Sequence, residues 1–70
     1  MRLKVWEKLT KREHEVLALL KGGMTNRQIA MALVIEESTV ETHLDHIYRK
    51  LNVPNRTAAV VKAIHLGITM

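Results

Sequence analysis

Residues 25–51, TNRQIAMALVIEESTVETHLDHIYRKL, carry two helix-start signals separated by little more than one short helix. Thr25 is followed three residues later by Gln28, the spacing of a capping box, in which each side chain satisfies an orphan backbone N–H of the other residue. Met24 and Ile29 fall at the two positions of a hydrophobic staple around that start. Ser38 and Thr39 then open a longer run in which Val40, Leu44, Ile47 and Leu51 recur at helical spacing and form a narrow apolar stripe. On the opposite side of that helix lies a polar ridge of Ser38, Thr42, Asp45 and Arg49, flanked by Glu41 and His46. Few arrangements satisfy all of this: a short helix, a tight turn beginning at Val34 and Ile35, and a longer helix with one face in the core. That order is the one in which a helix-turn-helix presents its second helix to DNA.

The rest of the chain supplies two more helices. Thr10 and Glu13 form another capping box, Val16, Leu17, Leu19 and Leu20 supply an apolar face, and Gly22 and Gly23 stop the helix. Pro54 disfavours helix at Val53, so Asn52–Asn55 is a loop, with Asn55 as the next N-cap and Gly67 as the final stop. The predicted fold is all-α, a four-helix bundle containing a helix-turn-helix, with helices over about residues 10–21, 25–33, 37–51 and 55–66. Residues 1–9 are expected to be an N-terminal extension or linker remnant, with Trp6 as a hydrophobic lid, and residues 10–70 the domain. The fourth helix is apolar nearly all round, through Ala58, Ala59, Val60, Val61, Ala63 and Ile64. A helix of so small a domain should keep one wet face, so this one is expected to cover a second apolar surface, on a neighbouring domain or on its own copy.

Composition removes several function classes. With 70 residues and no cysteine, the chain has neither a disulfide framework nor a cysteine-based zinc site. Trp6 and Tyr48 are its only aromatic residues, too few for a stacking platform on single-stranded nucleic acid. No apolar run approaches the roughly 20 residues of a membrane span, and the N-terminus lacks a signal-peptide core. His43 and His46 share a helix face but lack a third ligand, so no metal or cofactor is expected. Ser38 has no positioned base and there is no glycine-rich phosphate loop, so no enzyme activity is expected. The formal charge of +4 favours a polyanionic partner without requiring one.

Five fragments then fall in register: Leu9-Thr10-x-Arg12-Glu13-x-Glu15-Val16-Leu17, Thr25-Asn26-Arg27-Gln28-Ile29-Ala30, Ser38-Thr39-Val40-x-Thr42-His43-Leu44, Tyr48-Arg49-Lys50-Leu51-Asn52-Val53 and Arg56-Thr57-x-Ala59-Val60. From Leu9 to about Gly67 the chain resembles the LuxR/GerE-type DNA-binding domain, which also ends NarL/FixJ-type response regulators. The resemblance implies the output domain of a bacterial, cytoplasmic transcription regulator, either excised from a larger protein or standing alone. Its third helix would enter the major groove of double-stranded DNA. Its fourth would form a homodimer contact, with Thr57, Ala58, Val61, Ile64 and His65 as candidates, and RNA polymerase would be a further partner.

Within that frame Ser38, Glu41, Thr42, Asp45 and His46 are the base-reading candidates. Thr25, Asn26, Thr39, Arg49, Lys50 and Arg56 are the phosphate candidates, since hydroxyls, amides and N–H groups at helix starts, and cations, suit phosphate oxygens. Plain capping is the other reading of Thr25 and Ser38, and a solvated helix end that of the three cations. The chain departs from the family pattern at Glu41 and Asp45, where many members carry Lys or Arg. Acids there are repelled by phosphate, yet they can accept a hydrogen bond from cytosine N4. Weak non-specific binding, with specificity drawn from dimeric half-sites, is therefore expected. Glu36 also replaces the family's Ser or Thr and is a poorer N-cap, so the third helix is expected to shift its start to Ser38 or to fray. The second hypothesis is a protein-interaction module that keeps the fold and binds DNA weakly or not at all.

Overall fold

The computed structural model describes residues 8–67, and Trp6 lies outside them. Four helices are present among the described residues: α1 Lys11–Lys21, α2 Asn26–Leu33, α3 Glu37–Leu51 and α4 Arg56–His65. The three predicted side-chain caps are all made. Thr10 and Thr25 each close a full capping box, with Glu13 and Gln28 respectively, and the Asn55 side chain accepts from the Ala58 N–H. The first three helices end alike, with a left-handed residue after the last turn: Gly23, Val34 and Asn52. In each case the next N–H turns back to a carbonyl of the last turn, Met24 to Leu19, Ile35 to Ala30 and Val53 to Tyr48. Each of these following residues is apolar and packs on the core, which directs the chain into the next element.

α1 and α3 each pack against all the other helices, while α2 and α4 barely touch. Val16, Leu17, Ile29, Val40, Ile47 and Leu51 are fully buried between them, with Ala59 and Ala63 closing the core from α4. Small residues at the α4 contact allow close helix approach. Leu9, placed by the sequence in an extension, is itself a core residue at 7% exposure, so the packed unit includes it.

The expected displacement of the α3 start does not occur. The helix begins at Glu37, and Glu36 occupies the N-cap with extended backbone (φ −81, ψ 154) but makes no side-chain cap. Two observations account for this. The Glu36 carbonyl already accepts from the Thr39 and Val40 N–H groups, at 3.0 and 3.1 Å. Glu36 and Glu37 also place negative charge at the positive end of the macrodipole. At the other end of α3, the Lys62 ammonium reaches from α4 to donate to the Leu51 carbonyl at 2.7 Å.

Candidate nucleic-acid interface

Burying Val40, Leu44, Ile47 and Leu51 forces the opposite side of α3 outward, and Ser38, Glu41, Thr42, Asp45, His46 and Arg49 are all exposed. The ridge is not equally free along its length. The Thr42 hydroxyl donates to the Ser38 carbonyl at 3.1 Å, leaving its lone pairs and methyl group for an outside partner. His46 turns Nδ1 toward a Glu13 carboxylate oxygen at 3.8 Å, an ion pair when the imidazole is protonated. Among the described residues no cation forms an ion pair with Glu41 or Asp45, so α3 presents an acidic stretch between Glu36 and Asp45.

The second cluster lies at the start of α2. Thr25 Oγ accepts from the Gln28 N–H at 3.2 Å, and the Thr25 N–H donates to Gln28 Oε1 at 2.9 Å. A hydroxyl that accepts at a cap still carries its own O–H donor. The N–H groups of Asn26 and Arg27, in the first turn, have no acceptor within the helix. Neither α2 nor α4 has an acid in its first turn. α3 does, so phosphate is less welcome at its start, and Thr39 is the weaker phosphate candidate for that reason.

Two of the phosphate candidates already have partners within the fold. Lys50 Nζ lies 2.7 Å from Glu13 Oε1, so its charge is neutralised at the α1–α3 contact. Arg56 donates through Nη1 to Asn26 Oδ1 at 2.6 Å and through Nη2 to the Met24 carbonyl at 2.5 Å. Both half-buried cations are tied across the fold because an acceptor from elsewhere in the chain is within reach. Spacing within one helix could not reveal that. Of the three cations assigned to phosphate, Arg49 projects from the ridge with no such partner among the described residues.

Glu13 is the residue whose wider role sequence reasoning missed. It was assigned only to a cap, yet it is 3% exposed and receives Lys50, the Thr10 N–H and the edge of His46. Burial raises its pKa, but the Lys50 hydrogen bond, the Thr10 N–H and the charges of Lys50 and His46 outweigh burial and hold it below the usual carboxylate value. The only hint in the sequence was an acid on the same face of its helix as Val16, Leu17 and Leu20.

Along α4, Thr57, Val61, Ile64 and His65 are exposed and Ala58 half-buried. All but Ile64 border a shallow apolar groove that continues to Val53 and Leu66. Val61 and Ile64, at 46% and 54%, are among the few large apolar side chains left in solvent. No helix of the described residues is long and apolar enough to cross a membrane, and no metal-ligand cluster is present among them.

A short helix, a turn and an exposed polar helix, set against α1 and α4, are shared with known proteins. The sequence profile of bacterial regulatory proteins of the luxR family matches residues 7–63. The chain belongs to the luxR family. It is 51% identical over 59 residues to the transcriptional regulatory protein DegU of Brevibacillus brevis, covering 84% of this chain and 25% of that one. The solved structure of the response regulator ChrA of a heme-sensing two-component system superposes with a TM-score of 0.82 at 47% identity, over 97% of this chain and 32% of that chain. The transcription factor GerE superposes at 0.80 and 31% identity, over 97% of both chains. The luxR-family chain thus spans about a quarter of the length of DegU and a third of ChrA, and matches GerE end to end. Its relatives are transcription regulators, not enzymes.

Proposed function

We propose that the chain binds double-stranded DNA as a dimer, with α3 in the major groove and α4 against a second copy. The observation that carries the reading is the α3 ridge. Six polar side chains stand exposed along one face of a helix whose opposite face is locked into the core. That geometry holds a reading face rigid against the scaffold. Thr42 would offer its methyl to thymine and its lone pairs to a base N–H. Asp45 and Glu41 would accept from cytosine N4. Ser38 and the outward edge of His46 would complete the base contacts. Thr25 and Asn26 would donate to a phosphate from the start of α2, with Arg49 on the flanking strand and Thr39 at the weaker start of α3.

The charge arrangement sets the affinity. Each phosphate neutralised by a cation contributes about 0.9 to the slope of log K against log salt. With Lys50 and Arg56 each tied to an acceptor within the fold and acids at Glu41 and Asp45 on the ridge, sequence-independent binding is weak and pairing of half-sites supplies the rest. In this reading the domain is the output of a larger regulator, with RNA polymerase as a further partner.

Selection of bound sequences from a random duplex pool tests the reading. A two-fold symmetric enriched motif is expected. An enriched motif without symmetry would retain DNA binding and remove the dimer. No enrichment even at low salt would leave a protein-interaction module on the same fold, the function that the acids Glu36, Glu37, Glu41 and Asp45 would then serve.

A further inference from the structure

We propose that Arg56 is a positioning residue: from the first turn of α4 it orients the Asn26 amide at the start of α2, so that Asn26 rather than Arg56 meets the DNA phosphate. This rests on the DNA-binding reading above. The guanidinium has donors and no acceptor, so Asn26 must turn Oδ1 toward it, and the 2.6 Å contact shows that it does. The valence left to Asn26 is then its two Nδ2 hydrogens. A phosphate oxygen only accepts, so an Asn26 held in this flip is preset for phosphate, whereas the opposite flip would present a carbonyl to it.

The second arm of the fork fixes the backbone. Arg56 Nη2 binds the Met24 carbonyl, so its two acceptors flank Thr25, the residue that caps α2. One planar group therefore holds the Asn26 amide and the approach of the chain to the cap together. A lysine ammonium carries the same charge but not this rigid two-acceptor geometry. α2 and α4 otherwise barely touch, so the fork is the main link between the two.

The electrostatics fit a role beyond stability. A cation beside a helix N-terminus opposes the macrodipole, and neither first turn contains an acid to offset it. An arriving phosphate would relieve that opposition. If the link served packing alone, an acid at residue 26 would hold Arg56 more tightly and suit the helix start better than an amide.

A duplex bearing the motif enriched from the random pool serves as the probe, with thermal melting of each variant alongside. Asn26→Asp keeps the Arg56 link and is expected to melt at or above the wild-type temperature, yet to bind the duplex at least tenfold more weakly. Arg56→Lys is expected to lose roughly five- to tenfold in affinity, about one hydrogen bond's worth, despite its retained charge. Added to Asn26→Ala, it should cost nothing further, because both act through one contact. In the free protein, the Asn26 side-chain amide signals should shift in Arg56→Lys, a readout that needs no DNA. Wild-type affinity in Arg56→Lys, additive losses in the double variant, or full binding by Asn26→Asp would each overturn the proposal while leaving DNA binding intact. A wild-type chain that enriches no duplex would remove the DNA-binding reading, and this inference with it.

Discussion

Val34 holds a left-handed backbone, φ 57 and ψ 49, and the residue is 90% exposed. A β-branched residue is poorly suited to that region, and nothing packs on this one in return. Its two counterparts after α1 and α3 are glycine and asparagine, the residues that tolerate the conformation. Val34→Gly is therefore expected to raise stability by about 1 kcal/mol, the relief of left-handed strain less the extra freedom of glycine in the unfolded chain. Thermal unfolding should show a midpoint several degrees higher; a lower one would mean that Val34 makes a stabilising contact. Glu13 makes the opposite kind of contribution. Its folded pKa is lowered, so the stability it supplies is present above the unfolded value of about 4.3 and is lost as pH falls through the folded value. Glu13→Gln should cost about 1.5–3 kcal/mol at neutral pH, the range for a hydrogen bond to a charged group. It should also flatten the loss of stability as pH falls below about 5. Denaturant titrations across that range would refute the assignment if wild type and variant ran parallel.

At the scale of elements, helix boundaries were legible because their causes are local. Each of Thr10, Thr25 and Asn55 caps the next helix with its own side chain, and each stop needs only one residue free to turn left-handed. The α3 boundary at Glu37 matches the periodicity, and the shift or fraying expected from Glu36 fails for a reason of the same kind. The Glu36 side chain caps nothing, but its backbone and charge hold the first turn at Glu37 without it. The outward ridge of α3 was legible from periodicity, since a buried stripe leaves its opposite face exposed. What that ridge does with its acids is measurable. Glu41→Lys should strengthen binding to random duplex DNA and steepen its salt dependence by about one unit of slope. An unchanged slope would place Glu41 away from the phosphates.

At the scale of the whole molecule, α4 uses Ala59 and Ala63 for the core and leaves Val61 and Ile64 in solvent beside an apolar groove. A second copy placed there would bury both. Val61→Glu should shift sedimentation toward monomer and, with half-sites uncoupled, weaken binding to a symmetric duplex more than to a single half-site. The same association state in the variant would assign the contact to another surface. The sequence by itself determined the helices, their caps, the core stripe and the exposed ridge, because each follows from chemistry within a few residues or from one helical period. It also carried the family match, since the five fragments lie in register. Only the tertiary structure decided the partners of the long charged side chains. Lys50 meets Glu13 across 37 positions and Arg56 meets Asn26 across 30. A flexible cation takes whichever acceptor the packing brings within reach, and separation along the chain says nothing about that distance. Two candidate phosphate contacts, Lys50 and Arg56, are thus also ties within the fold. The stretch from Thr25 to Leu51 keeps its exposed polar ridge and is held in place by both ties.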